Sequence, residues 1–596
     1  MSGTTSRRSK AARSRAPAHK TAPRAVAPAA DDTALVEGLL VALKRTVPEA
    51  KLEAAAKALV RVDARLTAQV ERMPGTRWFL VRMRKGATPA DAFAAARLLQ
   101  RARAVRLAEP ALLSPGITLD DTAYPALAAE LGVTRVKPAR RARAFSLGLD
   151  PTVDCQWSLK LARVLDDNGA PGAWSVSPSR GAGIVVGHPD TGYTTHAELW
   201  CQRLRWREGW NYVEDNGDPL DPLTGGLLKF PGHGTGTSSV IMSDAGDPPA
   251  GELPVEQEAI DSGRARRRTG FVSGTAPEAR LVPLRVAESV VHFSFARLAK
   301  ALCFATVRGH HVVSMSLGGP VESDALREAI DAAVKKGLIL IAAAGNYWPW
   351  VVYPAANPKV LCLGACNAAS AMWQHSATGP RVDVSAPGED VWAARVRRAA
   401  GGIASEVSPS SGTSHATATT AGIAALWLAH HGVERLRRSF GADLAGVFRV
   451  LVQQSARRPA GWNTARWGAG IIDAHALVRA PIDDVEVLTR RARRPHALAA
   501  RPRWAFADVF PELSPSQLEA GVGALARSPR GRERLARDRL LARELAWLLL
   551  HDAAARASMR VAATGAKRPR ARAQAAAGLP PSSKARVSPA LQQVLR

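Results

Sequence analysis

The stretch Gly183-Ile184-Val185-Val186-Gly187-His188-Pro189-Asp190-Thr191-Gly192 reads as a short apolar strand that ends in a carboxylate and a glycine turn. The same texture returns in Ala279-Arg280-Leu281-Val282-Pro283-Leu284, His311-Val312-Val313-Ser314-Met315 and Leu338-Ile339-Leu340-Ile341-Ala342, with Ala-rich helical stretches between them. Strands that are apolar along their whole length are buried on both faces, and their alternation with helices predicts an α/β fold, a parallel sheet flanked by helices, over residues 151–480. In such a sheet the working residues lie at the carboxyl ends of the strands, which is where Asp190 falls.

Two further segments place reactive side chains at helix starts. Gly232-His233-Gly234-Thr235-Gly236-Thr237-Ser238-Ser239 puts a histidine at the head of a helix of small residues, and Ser411-Gly412-Thr413-Ser414-His415-Ala416 runs into an Ala- and Leu-rich helix. A serine hydroxyl needs a base to take its proton as it attacks a carbonyl. Histidine supplies the base, and a buried carboxylate fixes its tautomer and stabilises the imidazolium. The backbone N–H of Ser414, at the positive end of a helix, is a donor for a developing oxyanion, and Ala342-Ala343-Ala344-Gly345-Asn346 delivers a second donor at a strand end. Spacing alone leaves open whether these four groups meet.

The segments and their order Asp, His, Ser resemble the subtilisin-like serine peptidases, the subtilase family. The resemblance runs across residues 151–480, through Asp190-Thr191-Gly192, His233-Gly234-Thr235, Gly274-Thr275-Ala276-Pro277, Ser314-Met315-Ser316-Leu317-Gly318, Ala344-Gly345-Asn346, Tyr353-Pro354-Ala355, Ala386-Pro387-Gly388 and Gly412-Thr413-Ser414. It implies a three-layer domain and a serine endopeptidase with Ser414 as nucleophile, His233 as general base and then acid, and Asp190 as its orienting carboxylate. It makes Asn346 the oxyanion-hole side chain beside the Ser414 N–H. It also implies that Ser316-Leu317-Gly318 is an exposed edge where an extended peptide adds as a strand, with Ala343-Ala344-Gly345 as the opposite wall of the main specificity pocket. Small walls there lead us to expect a sizeable apolar residue before the cleaved bond. The chain departs from the family pattern at Gly236-Thr237-Ser238-Ser239 and at His415-Ala416-Thr417, where His415 sets a bulky polar group beside the nucleophile. No cofactor is required for this chemistry; the resemblance allows a structural calcium without assigning its ligands.

Outward from this domain, residues 33–70 show helical spacing at Leu35, Leu39, Leu40 and Leu43, Arg77–Arg84 and Ala104–Ala108 read as strands, and Pro89–Arg101 as a helix. The strand–helix–strand unit within 33–115 resembles the family's inhibitory propeptide, an α+β unit, with 116–150 as the connection that would be cut. Residues 481–560 are expected as a helical, basic extension, with Leu535, Leu540, Leu541, Leu545, Leu548 and Leu549 as an apolar stripe. Within that extension an Arg-rich linker at 490–495 precedes the helical region, and residues 244–270 read as an insertion ending in Arg264–Arg268.

The 596 residues carry 46% hydrophobic and 22% charged side chains, which suits a large packed core rather than a disordered or collagen-like chain. The net charge of +29 suggests a polyanion partner until its location is read. Residues 1–32 and 561–596 contribute seven basic residues each and read as disordered tails, so the expected role of the charge is weak polyanion contact outside the folded domains. Cys155, Cys201, Cys303, Cys362 and Cys366 form no paired CxxC pattern and are expected mostly as free thiols. There is no apolar run long enough for a transmembrane segment and no signal-like apolar stretch after Arg7-Arg8, so a cytoplasmic location is expected, with export by a non-standard route or from a mis-assigned start as the alternative. Oligomeric state is unassigned; protein or peptide substrates are the partners implied.

Two other classes compete. Asp190-Thr191-Gly192 and Asp261-Ser262-Gly263 superficially supply the paired motifs of an aspartic peptidase, and an inactive subtilase fold could serve as a basic scaffold. The first leaves the serine and histidine motifs unexplained, and the second leaves an intact triad unexplained.

Overall fold

The computed structural model describes residues 36–112, 149, 151, 154–196, 198–199, 203–224, 230–243, 272–290, 295–348, 350–399, 402–493, 513–526, 528–564, 583 and 586–595. At the N-terminal end, β1 (Val36–Leu43), α1 (Leu52–Ala58), β2 (Leu66–Arg72), β3 (Trp78–Met83), α2 (Pro89–Gln100) and β4 (Val105–Leu112) form an antiparallel sheet of order β2-β3-β1-β4. Helix α2 starts where its sequence says it should. Thr88 accepts from the Asp91 N–H, the Asp91 carboxylate answers to the Thr88 N–H, and Pro89 takes the first position, where its missing N–H costs nothing.

The helix expected from residue 33 is instead strand β1. Its leucine spacing misleads because both faces are buried: Leu39, Val41 and Leu43 join the unit's own core with α2, while Leu40 and Ala42 face the catalytic domain. A strand covered on both sides has no polar alternation to declare its period.

The central sheet contains β5 (Val185–Asp190), β6 (Trp210–Asn211), β7 (Arg280–Arg285), β8 (Val312–Met315), β9 (Ile339–Ala343), β10 (Leu361–Cys366) and β11 (Val384–Pro387), parallel throughout, in the order β11-β10-β9-β8-β5-β7-β6. Around it lie α3 (His233–Met242), α4 (Ala296–Val307), α5 (Asp324–Lys335) and α6 (Thr413–His431), and an antiparallel hairpin of β12 (Val391–Ala399) and β13 (Gly402–Ser410). The two faces explain the continuous apolar strands: in and beside β9, Ile339 and Ile341 point into the core containing α3 and α6, and Leu338, Leu340 and Ala342 into the core containing α4 and α5. Each core buries side chains that would otherwise expose apolar surface worth about 25 cal/mol per Å².

The N-terminal sheet lies on α4 and α5. Trp78 Nε1 donates to Glu328 at 2.8 Å, Arg106 forks onto the same carboxylate at 2.8 and 2.7 Å, and Lys300 pairs with Glu71. Glu109 reaches the start of α5, where Ser323 Oγ, Asp324 N and Ala325 N donate to it at 2.7, 2.9 and 3.0 Å. A carboxylate there meets unsatisfied N–H groups and the positive end of the helix.

The C-terminal extension is helical as expected, and α7 (Arg539–His551) presses on this junction. Arg543 is buried between Glu109 and Asp324, the latter at 2.9 Å. Arg97 pairs with Asp538 at 2.7 Å, and Leu540 and Trp547 enter the core of the N-terminal unit. Two stretches of the tail expected from residue 561 are helical instead: the helix containing residue 553 runs to Thr564, and Pro589–Val594 is a helix capped by Ser588, burying Leu591 and Val594. The residues 1–32, 116–148, Arg264–Arg268, Asp261–Gly263 and Cys201 lie outside the described residues. No helix among the described residues is long and apolar enough to cross a membrane.

Candidate active site

Asp190 ends β5, His233 begins α3 and Ser414 is the second residue of α6. Their side chains form an unbroken line: His233 Nδ1 lies 2.8 Å from Asp190 Oδ1, and His233 Nε2 lies 3.1 Å from Ser414 Oγ. Asp190 is fully buried and also accepts from the Thr191 N–H at 2.7 Å. Burial works against its charge, yet the His233 ring with its hydrogen bond, His188, and the Thr191 N–H hold its carboxyl below the usual carboxylate range.

Glycines let these elements close. A Cβ at Gly234 would stand 2.0 Å from the Gly192 carbonyl oxygen, so only glycine permits the start of α3 to meet the turn after Asp190. Gly192 itself has φ of 105°. A second tie that the sequence did not disclose is Asp221. It is buried and accepts from Thr191 Oγ1 and the Gly232 N–H, each at 2.8 Å, while Thr191 Oγ1 accepts from the Gly234 N–H at 3.1 Å. The turn bearing Asp190 and the lead-in to His233 are thereby fastened to one carboxylate.

His188 belongs to the site's surroundings. It lies two positions before Asp190 on the same strand, hence on the same face. Its Nε2 is 3.0 Å from Thr237 Oγ1 and 3.7 Å from Asp190 Oδ2, and burial keeps its imidazole neutral, below the usual histidine range. His311 is structural, its Nδ1 accepting from the Val185 N–H at 2.9 Å. The strand period was the signal that could have singled out His188.

Asn346 follows β9 and faces the start of α6. Thr413 donates to its Oδ1 twice, from the backbone N–H at 2.9 Å and from Oγ1 at 2.7 Å. With the oxygen so held, the amide nitrogen faces the Gly412 side, 3.1 Å from where a Cβ on Gly412 would stand. The Ser414 N–H, in the first turn of α6, has no acceptor within the helix. His415 points into the interior: both ring nitrogens lack a partner among the described residues, and burial, then the charges of His233 and Arg395, push it down to about 3.

The segment Ser316-Leu317-Gly318 reaches Ser414 through Ser316, whose Oγ donates to the Ser414 carbonyl at 3.1 Å. It is not the exposed edge that was expected. All three residues are buried, and the Gly318 N–H already donates to the Val290 carbonyl at 2.9 Å, because the chain after β7 folds back alongside. Ala343, Ala344 and Gly345 lie opposite, with the Gly345 N–H 3.3 Å from Thr413 Oγ1. Cys303, Cys362 and Cys366 are free and buried, and burial raises each thiol's pKa. Among the described residues no group of three or more His, Cys, Asp or Glu gathers as a metal-ligand set, so no calcium ligand is assigned.

This arrangement, an Asp-His-Ser line on a doubly covered parallel sheet, defines a class of serine hydrolase, and the comparisons agree with it. The subtilase family model matches residues 181–439. Thermitase of Thermoactinomyces vulgaris is 28% identical over 312 residues, covering 52% of this chain and 93% of that protein. Subtilisin of Bacillus pumilus is 34% identical over 165 residues, covering 27% of this chain and 58% of that protein. Among solved structures, fervidolysin from Fervidobacterium pennivorans, described as a keratinolytic enzyme related to subtilisin, shares the fold with a TM-score of 0.51 at 18% identity, over 76% of this chain and 62% of that one. Residues 181–439 thus carry the match to the subtilase family, and the chain is similar to serine endopeptidases of that family.

Proposed function

We propose that the chain hydrolyses peptide bonds through an acyl-enzyme formed on Ser414. Ser414 Oγ attacks the scissile carbonyl as His233 Nε2 takes its proton, and Asp190 stabilises the imidazolium that results. The oxyanion is met by the Ser414 N–H and the Asn346 amide. His233 then returns the proton to the leaving amine, and water, deprotonated by the same imidazole, releases the acyl group. The observation that carries this reading is the continuous Asp190–His233–Ser414 hydrogen-bonded line.

Substrate would bind as an added strand along Ser316–Gly318. The Val290 carbonyl now on the Gly318 N–H stands in for a substrate carbonyl, so binding exchanges one acceptor for another rather than stranding a donor. The N-terminal sheet unit would act as a propeptide, cut within 116–150. The test is labelling by a fluorophosphonate probe: wild type should label and cleave casein, and Ser414→Ala should lose both. An unlabelled wild type that still cleaves, blocked instead by an aspartic-peptidase inhibitor, would overturn the reading.

A further inference from the structure

We propose that Val352 closes the floor of the specificity pocket, so that this protease selects a small residue, Gly, Ala or Ser, on the acyl side of the cleaved bond. The inference rests on the triad reading and reverses the sizeable apolar residue expected from the small pocket walls.

Both walls begin at the nucleophile: Ser316 is joined to Ser414, and Gly345 to Thr413. Moving away from Ser414, the space between them is spanned by a short extended segment. The Val352 N–H donates to the Ala344 carbonyl at 3.0 Å on one wall, and Tyr353 exchanges two backbone hydrogen bonds with Gly319, each 2.8 Å, on the other. The walls are therefore laced together by residues 352–353.

The absent side chains of the wall glycines show where the open space would lie. A Cβ at Gly318 would stand 2.6 Å from Val352 Cγ2, and one at Gly345 would stand 3.3 and 3.4 Å from the two Val352 methyls and 3.1 Å from Trp348 Cδ1. One isopropyl group thus touches both glycine faces, with the Trp348 ring beside it. Val352 is 2% exposed and Trp348 8%, so neither is a loose side chain that swings aside. Small walls enlarge a pocket only if nothing fills the space they leave. Here the volume that two glycines vacate is taken by a branched side chain whose backbone is bonded to one wall and, through its neighbour Tyr353, to the other. A leucine or phenylalanine would have to displace it, against close packing that does not yield by the width of a methyl group.

The experiment uses the full chain and a series of peptide p-nitroanilides that differ only in the residue before the cleaved bond, with active sites counted by fluorophosphonate titration. Wild type should favour Ala over Phe and Leu by about 100-fold in kcat/KM, the scale on which a pocket rejects excess methylenes. Val352→Ala should raise the Phe-to-Ala ratio at least about tenfold, and Val352→Leu should lower it and favour Gly. The opposed variants guard against a folding defect, since a misfolded pocket moves both ratios the same way. A wild type that prefers Phe or Leu, or a ranking unmoved by both variants, overturns the role of Val352 while titration still supports Ser414. Failure of the wild type to titrate removes the triad reading and this inference with it.

Discussion

Thr413→Val tests whether the oxyanion donor is oriented as well as present. Thr413 Oγ1 donates to Asn346 Oδ1 at 2.7 Å and accepts from the Gly345 N–H at 3.3 Å; its backbone N–H makes a second bond to Asn346 Oδ1 at 2.9 Å. Removing the Asn346 amide altogether, as in Asn346→Leu, should cost about 10²–10³-fold in kcat, the loss found when such a donor is removed in subtilisin. Thr413→Val keeps the shape and one of the two bonds to Oδ1. The loss should therefore be that of one ordinary hydrogen bond, about 1 kcal/mol or roughly fivefold in kcat, with KM little changed. The double variant decides the cause. If Thr413 acts by aiming Asn346, Thr413→Val should cost almost nothing in the Asn346→Leu background. If it acts by leaving the Gly345 N–H without an acceptor, the fivefold loss should persist there. Steady-state kinetics on one p-nitroanilide substrate, corrected by active-site titration, measure all four enzymes, and persistence of the loss would refute the orienting role.

Three further outcomes follow from the same contacts, each measured in the Ser414→Ala background so that self-digestion does not intrude. Arg543→Met should leave Glu109 and Asp324 buried without their shared cation; Glu109 keeps its three donors at α5, so the loss should fall at the low end of the range for a broken buried pair, about 3 kcal/mol, and hydrogen exchange in α5 and α7 should quicken by on the order of 100-fold. Unchanged exchange would show that α7 is held by apolar contact alone. Glu544 is pushed up to about 7 by burial, despite two hydrogen bonds from Ser588. The folded chain then keeps a proton that the unfolded chain releases near 4.5, so this contribution is full below that pH and is lost as pH rises through 7; Glu544→Gln should flatten the fall in Tm across that window. His415→Met should raise stability by about 1 kcal/mol, because it removes an imidazole buried without partners among the described residues, and a lower Tm would point to a hydrogen bond that the substitution breaks.

Legibility differed between parts of the molecule for physical reasons. The strands around Val185, Val312 and Ile339 were readable because burial on both faces forces unbroken apolar runs between glycine turns, and the triad was readable because strand ends and helix starts confine each reactive residue to a short motif. The same double burial defeated the reading of Val36–Leu43, whose leucines fit a helical period by coincidence. The family resemblance implied an open edge at Ser316–Gly318, and nothing local announces that the chain near Val290 returns to cover it. Pro589–Val594 sat in a basic, Ala- and Pro-rich stretch and was read as tail, although Leu591 and Val594 find a core with the helices before them.

What the sequence determined by itself was the parallel sheet, the order of Asp190, His233 and Ser414, and the place of Asn346 just after a strand, since each depends on residue type within a few positions. Tertiary structure alone decided how His188 and Asp221 stand behind the triad, how Val352 fills the gap between Gly318 and Gly345, and how Arg543 joins Glu109 to Asp324. Those contacts connect segments far apart in the chain, and a side chain's neighbours across such distances are set by how whole layers pack, which no local pattern encodes.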